Sequence, residues 1–516
     1  MGVSYKITCD KCGVQYPEEI DSEIYDSSSF FMSSHHIALK IRHHNWFVTG
    51  DNKVLCPICH VTKDSDADVV DEDSNAWHRK GIELGKSGRN EEALQAFDKA
   101  LKLNPGSSIA WYNKGIALDN LGRNEEALQV YERALGLNPN DPDIWHRKSG
   151  TLDKLGRYEE ALRAINKALE LKPDDSNVWY RKGGALDKLD RYEEALLAYD
   201  KALELKPNDS NVWYRKGGAL DKLDRYEEAL LAYDKALELK PDDFNVWNRK
   251  GGILYQLDLY EQALQAYDKA LELNPDDSIA WNNKGVVLDN LGDYPEALQA
   301  YDKVLELKPD DSGAWNNKGA ILYYLDRYEE ALEAIDKALE LKPDDSIAWN
   351  RKGVVLDNLD RYEEALEAID KALELKPDVS IAWYNKGATL YYLDRNEEAL
   401  QAYDKALELN PDNYNAWHRK GGTLYHLGRY KKALKAYDKA LELNPDDSHT
   451  WHRKGGTLYH LGRYEEAIEA IDKALELNPD DSNAWNNKGG TLYHLGRHEE
   501  AQVAFKKASE LDSKSK

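Results

Sequence analysis

Apolar and small residues return along this chain with a fixed beat. Tryptophan stands at 77, 111, 145, 179, 213, 247, 281, 315, 349, 383, 417, 451 and 485, every step being 34 residues. The residues around each one follow the same pattern. In the unit Ile109–Asn140, Gly115 and Leu118 follow Trp111 at i+4 and i+7, so the three share one stripe of a first helix. Gly122 suits the left-handed residue that ends a helix. Glu125 and Glu126 suit the positive end of a second helix, on which Ala127, Leu128, Tyr131, Ala134 and Leu135 form one apolar face. Pro139 cannot continue it. Helices this short are marginal alone, so each pair must be stabilised by packing on its neighbours, as in a repeat architecture.

The pattern W-x3-G-x2-L…A-x3-Y-x2-A…P at this period resembles the tetratricopeptide repeat, over residues 74–516 and thirteen repeats. The resemblance implies an all-α fold, a right-handed superhelical solenoid of helical hairpins whose first helices line a concave groove. Where the family usually has Leu before the Gly, this chain has Lys, as in Lys80, Lys114 and Lys488. Such lysines are expected to snorkel, the stem over the Trp stripe and the ammonium in water. Ser149 replaces the Gly of the third repeat, and Pro142 and Pro295 fall at helix starts, where a missing N–H is tolerated. Asp175–Pro207 and Asp209–Pro241 are identical. Gln502 replaces the usual Leu in the last repeat, which reads as a polar cap.

In the family, positions one, five and eight after the Trp commonly touch the ligand. Carried over, the first row includes Tyr112, Tyr180, Tyr214 and Tyr384, and the second is mostly Gly, Ala or Val. The third row includes Asp119, Asp153, Asp187 and Asp221, then Tyr255 and Tyr323, then Tyr391, Tyr425, Tyr459 and Tyr493. His426, His460 and His494 directly follow Tyr425, Tyr459 and Tyr493. This implies a groove for an extended or helical peptide. The Asp end is expected to favour basic or amide-rich segments, and the Tyr/His end apolar or acidic ones. Affinity at the latter end, which also carries His418 and His452, is expected to change between about pH 7.5 and 5.5. Lys431 and Lys432, with Arg429 and Lys435, mark repeat 11 as a candidate secondary patch, with neutral drift the alternative.

Composition narrows the partners. The net charge of −25, from 94 acidic against 69 basic residues, disfavours nucleic acid and anionic membranes. No apolar run approaches a membrane span, and MGVSYKITCD lacks a signal-peptide core, so a cytoplasmic protein is expected. Gly81-Ile-Glu-Leu-Gly85-Lys86-Ser87 has three residues between its glycines where a phosphate loop needs four, and it falls inside a helix. No catalytic constellation stands outside the repeat pattern, so no enzyme is expected.

The four cysteines form two C-x2-C pairs, Cys9/Cys12 and Cys56/Cys59, a spacing that suits one tetrahedral Zn ion in a module of residues 1–63. A thiol redox centre or disulfides fit less well. TGDNK reads as a turn joining WFV to VL, and SSHHIALKIRHHNW as a short surface helix carrying His35, His36, His43 and His44. The module resembles a zinc ribbon with a helix inserted between its knuckles. Residues 64–73 read as an acidic linker, and Asp73 and Ser74 as caps of the first repeat. The leading function is a protein–protein interaction scaffold that holds a partner segment in the groove. The alternative is a nucleic-acid-associated regulator that uses the zinc module with the array as recruiter. Residues 1–73 hold six Lys/Arg against thirteen Asp/Glu, which counts against the alternative.

Overall fold

The computed structural model describes residues 47–48, 54–55 and 66–514, with side chains from 74 to 513. Cys9, Cys12, Cys56, Cys59 and the expected histidine helix lie outside the described residues. The hairpin expected around TGDNK is present: β1 (Phe47–Val48) pairs antiparallel with β2 (Val54–Leu55), Phe47 opposite Leu55 and Val48 opposite Val54. The remaining described residues form twenty-six helices, in two compact units, residues 1–241 and 242–516.

The first unit carries α1 (Asp66–Lys86), α2 (Asn90–Leu103), α3 (Ser108–Asn120), α4 (Asn124–Leu137), α5 (Pro142–Lys154), α6 (Tyr158–Leu171), α7 (Ser176–Asp187), α8 (Tyr192–Leu205), α9 (Ser210–Asp221) and α10 (Tyr226–Leu239). The second carries α11 (Phe244–Gln256), α12 (Tyr260–Leu273), α13 (Ser278–Leu291), α14 (Tyr294–Leu307), α15 (Ser312–Tyr324), α16 (Tyr328–Leu341), α17 (Ser346–Asn358) and α18 (Tyr362–Leu375). It continues through α19 (Ser380–Tyr392), α20 (Asn396–Leu409), α21 (Tyr414–His426), α22 (Tyr430–Leu443), α23 (Ser448–His460), α24 (Tyr464–Leu477), α25 (Ser482–His494) and α26 (His498–Lys514). Within each unit every helix packs on the one before and the one after, and most successive odd helices also touch. Successive even helices stay farther apart, so the odd helices form the inner, concave wall of each unit.

The expected stripes make the core. Tyr131, Tyr199, Tyr233, Tyr301, Tyr403 and Tyr437 are fully buried. Each needs the glycine opposite: a Cβ on Gly421 would lie 2.7 Å from Tyr437 Cε1. In repeat 3 Ser149 stands at this position opposite Ile165, and its hydroxyl donates to the His146 carbonyl at 2.6 Å. Each hairpin turns through one left-handed residue. Gly122 has φ +74, while Asp190, Asp224, Asp258, Asp326, Asp360 and Asp394 hold φ +55 to +59 at the same place. Asp is among the few non-glycine types that enter this region at modest cost.

Two local expectations are corrected. Helix α1 begins at Asp66, so most of the acidic segment expected as a linker is helical. Ser74 is then no cap: it is buried within α1, and its hydroxyl donates to the Ala100 carbonyl of α2 at 3.0 Å, which lets the helix run through it. The lysines beside the tryptophans do lie over the indoles, Lys284 Nζ being 5.3 Å from the Trp281 ring centre. Their ammonium groups, however, are not simply in water. Lys284 reaches Asp268 at 2.7 Å and Lys216 reaches Asp200 at 2.6 Å, on the preceding even helix. The substitution for Leu therefore adds a bond between repeats, worth a modest amount at partly exposed sites. Each indole is further tied by its own N–H, as Trp281 Nε1 to the Pro275 carbonyl at 2.8 Å.

Candidate functional site

On the outer side of the array, arginines are neutralised where they stand. Arg123, Arg157, Arg191 and Arg225 each grip the Glu three residues on with two N–H groups, as Arg157 Nε and Nη2 to Glu160 at 2.7 Å. The pairing suits the start of each even helix, where a carboxylate also meets the positive dipole end.

The concave wall of the first unit differs. The second position after the Trp carries Arg147, Arg181 and Arg215 on α5, α7 and α9, a row absent from the sequence-based groove. No carboxylate oxygen among the described residues lies within 4.0 Å of these guanidiniums. They line a cavity of about 640 Å³ together with Tyr112, His146, Asp153 and Tyr180. Arg181 Nε donates to His146 Nε2 at 3.1 Å, and burial holds His146 below its ordinary value, so the ring is neutral and accepts. Burial also lowers the proton affinity of Arg181, and Arg215 is hydrogen-bonded to Tyr180. The floor is open, with nothing within 4 Å of a Cβ placed on Gly184.

The row was missed because on a helical projection it lies beyond the groove stripe, yet its side chains are long enough to reach the preceding repeat. The same rung recurs with Asn: Asn113 meets His78 at 2.9 Å, and Asn385 donates to Asn350 Oδ1 at 3.0 Å.

Of the expected groove residues, Tyr112, Tyr180 and Tyr214 are half-buried and lean on the core rings of their own repeats, Tyr131, Tyr199 and Tyr233, at 6.1 to 6.3 Å. Asp119 does not wait for a ligand amide: it accepts from Tyr131 at 2.8 Å and from Thr151 at 2.8 Å. Asp187 accepts from Tyr199 and is held above the usual carboxylate range by burial. Asp153 does face the cavity. Asp221 ends α9.

In the second unit most of the expected aromatic groove is locked into ring stacks. His460 lies flat on Tyr430 at 4.8 Å and edge-on to Tyr425 at 5.4 Å, and His494 stacks on Tyr464 at 5.5 Å and meets Tyr459 at 5.2 Å. His426 meets Tyr391 at 5.5 Å, Tyr384 leans on Tyr403, and Tyr255 and Tyr323 lean on Tyr260 and Tyr328. Tyr493 is 60% exposed. A smaller cavity of about 350 Å³ lies among Tyr384, Tyr414, His418, Arg419, His449 and Arg453. His418 Nδ1 meets Thr450 Oγ1 at 2.5 Å, and burial and the neighbouring His449 hold His418 down to about 4. It therefore stays neutral across the range where a pH response was expected, and His452 is also lowered by burial.

Repeat 11 differs on the outer side. With Lys432 in place of the usual Glu, Arg429 turns to Glu397 of the preceding repeat at 2.9 Å, beside a cavity of about 700 Å³ that also carries Lys432 and Lys435.

Family models described as tetratricopeptide repeat match residues 78–142, 248–312, 316–380 and 384–448, half of the chain, and others of that description match 121–183, 176–209, 210–243 and 446–514. The chain belongs to the tetratricopeptide repeat family. None of the curated proteins matches it. Among solved structures it is similar to YrrB, described as a TPR protein with an unusual peptide-binding site, at 32% identity over 36% of this chain and 96% of that one, TM-score 0.33. It is also similar to yeast Tom70, at 17% identity over 84% and 96%, TM-score 0.38. MamA 41-end from Desulfovibrio magneticus RS-1 follows at 26% over 33% and 96%, TM-score 0.32. Among the described residues, no helix of this tetratricopeptide array is long and apolar enough to cross a membrane.

Proposed function

We propose that the array is a non-enzymatic scaffold of the cytoplasm that holds a segment of a partner protein along its concave wall. The observation that carries this reading is the cavity of about 640 Å³, built jointly by α3, α5, α7 and α9, with half-buried Tyr112, Tyr180 and Arg181 and the more exposed Arg147 and Arg215 over a glycine floor. A polar, aromatic-lined cavity shared by successive helices suits a peptide main chain, which supplies hydrogen-bonding groups at every residue. Peptides selected by display against the intact protein test it. They are expected to lose binding to Gly184→Trp and keep it to Leu197→Trp, a residue 68% exposed on α8. Equal binding to both variants refutes the groove.

We propose further that Cys9, Cys12, Cys56 and Cys59 hold one structural Zn ion. The paired C-x2-C spacing supports it, as does the β1–β2 hairpin that ends one residue before Cys56. Metal analysis should find about one zinc per chain, lost in Cys12→Ser/Cys59→Ser.

A further inference from the structure

The cavity of the first unit holds more positive charge than its wall can use. Arg147, Arg181, Arg215 and Lys188 line it against two carboxylates, Asp143 and Asp153, with His146 neutral. In a chain of net charge −25 that neutralises its outer arginines pair by pair, these three guanidiniums are left without an ion-pair partner. Among the described residues, Arg181 is half-buried and its only side-chain hydrogen bond goes to an uncharged imidazole, while Arg147 and Arg215 are more exposed and the Arg147 side chain makes no hydrogen bond or ion pair. A partly desolvated guanidinium is stabilised by a carboxylate, which its planar fork grips through two N–H groups.

We infer that the partner segment seated there is acidic, and that its carboxylates pair with Arg147, Arg181 and Arg215. This rests on the peptide-groove reading and names the chemistry of its ligand. The spacing adds a conformation. The three arginines occupy equivalent positions on touching helices, and packed helices lie roughly 8–10 Å apart. A polyproline-type chain rises about 3.1 Å per residue with three residues per turn, so every third side chain falls on one face about 9 Å apart. A β-strand repeats a face at about 7 or 13 Å, which fits the row less well. The segment is therefore extended, with an acidic residue at every third position.

The protein's own negative charge does not forbid this. At physiological salt the Debye length is about 8 Å, so charges on distant repeats are screened while pairs at contact distance are not. Salt should weaken binding only partly.

The test uses the full chain and three fluorescent twelve-residue peptides in fluorescence anisotropy at physiological salt: (Glu-Pro-Ala)4, (Gln-Pro-Ala)4, and one with its four Glu contiguous. The first is expected to bind at least roughly tenfold tighter than the other two. Arg147→Gln/Arg181→Gln/Arg215→Gln should abolish that difference, and Arg191→Gln, whose partner is Glu194, should leave it unchanged. Circular dichroism verifies the fold of the triple variant; if it does not fold, Arg147→Gln alone should remove roughly a threefold to tenfold share. Equal binding of the Glu and Gln peptides, or indifference to the arginine variants, overturns the inference. If the Gln peptide then still binds and is lost in Gly184→Trp, the peptide groove stands and only the acidic ligand falls. A lack of measurable binding by all three peptides also overturns the inference, and the display experiment then decides the groove separately.

Discussion

Asp357, at the end of α17, is a carboxylate that the fold holds at a cost. One oxygen accepts from the Thr389 hydroxyl at 2.8 Å; the other is buried with no hydrogen-bond partner. Burial pushes its carboxyl up from an ordinary 3.8 to about 6, against the smaller opposite pull of Thr389. A group whose folded value is raised stabilises fully below its unfolded value, and that contribution is lost as pH rises through the folded one. Each tenfold change in proton affinity is worth about 1.4 kcal/mol, so the full effect at pH 7 is near 3 kcal/mol, and about 2 kcal/mol after allowing for its partial exposure. Asp357→Asn keeps the shape and an oxygen for Thr389 but has no charge to desolvate. At pH 7.5 the variant should stabilise α17 to α19 by up to about 2 kcal/mol, seen as amide exchange slowed as much as about thirtyfold relative to the parent. At pH 4 the two proteins should exchange alike. A gain of the same size at both pH values, or a loss at pH 7.5, refutes the assignment of strain to the ionised carboxylate.

His418 runs in the opposite direction: held near 4, it contributes stability that is present above about pH 6.5 and lost as pH falls through about 4. His418→Gln should therefore flatten the acid limb of a thermal-stability profile, and an unchanged limb counts against the burial of a neutral ring. Gly387→Ala would set a Cβ 2.6 Å from Tyr403 Cε1 and should cost about 1–3 kcal/mol by forcing the ring aside, measured by urea unfolding. Trp281→Ala removes a half-buried ring and its bond to Pro275, about 3 kcal/mol, and should speed exchange near repeat 7 first. A uniform rise across all repeats would contradict nearest-neighbour stability.

Much of the fold was legible because one period carries it. Trp111, Gly115 and Leu118 are spaced for a helix face, and no partner elsewhere need be known to see it. What crosses between helices was less legible. Asp119 looked like a ligand acceptor because Tyr131 and Thr151, twelve and thirty-two residues on, give no local sign that they claim it. Tyr425 and Tyr459 looked exposed because the histidines that cover them, His460 and His494, belong to the following repeat. The arginine row was in plain view every 34 residues, but its reach into the neighbouring repeat is a property of side-chain length, which a helical projection omits. The start of α1 misled for a different reason: an acidic run reads as solvated chain, yet acidic residues also favour a helix N-terminus.

The bonds between repeats join fixed positions, Lys to the Asp sixteen residues earlier and Arg or Asn to the residue thirty-five earlier. A junction therefore does not depend on which copy supplies each side. Because Asp175–Pro207 and Asp209–Pro241 are the same sequence, recombination between their coding segments can remove or add one whole unit and leave the reading of every junction intact. Array length is thus open to selection in steps of 34 residues, while the arginine row shortens or lengthens with it by one site at a time.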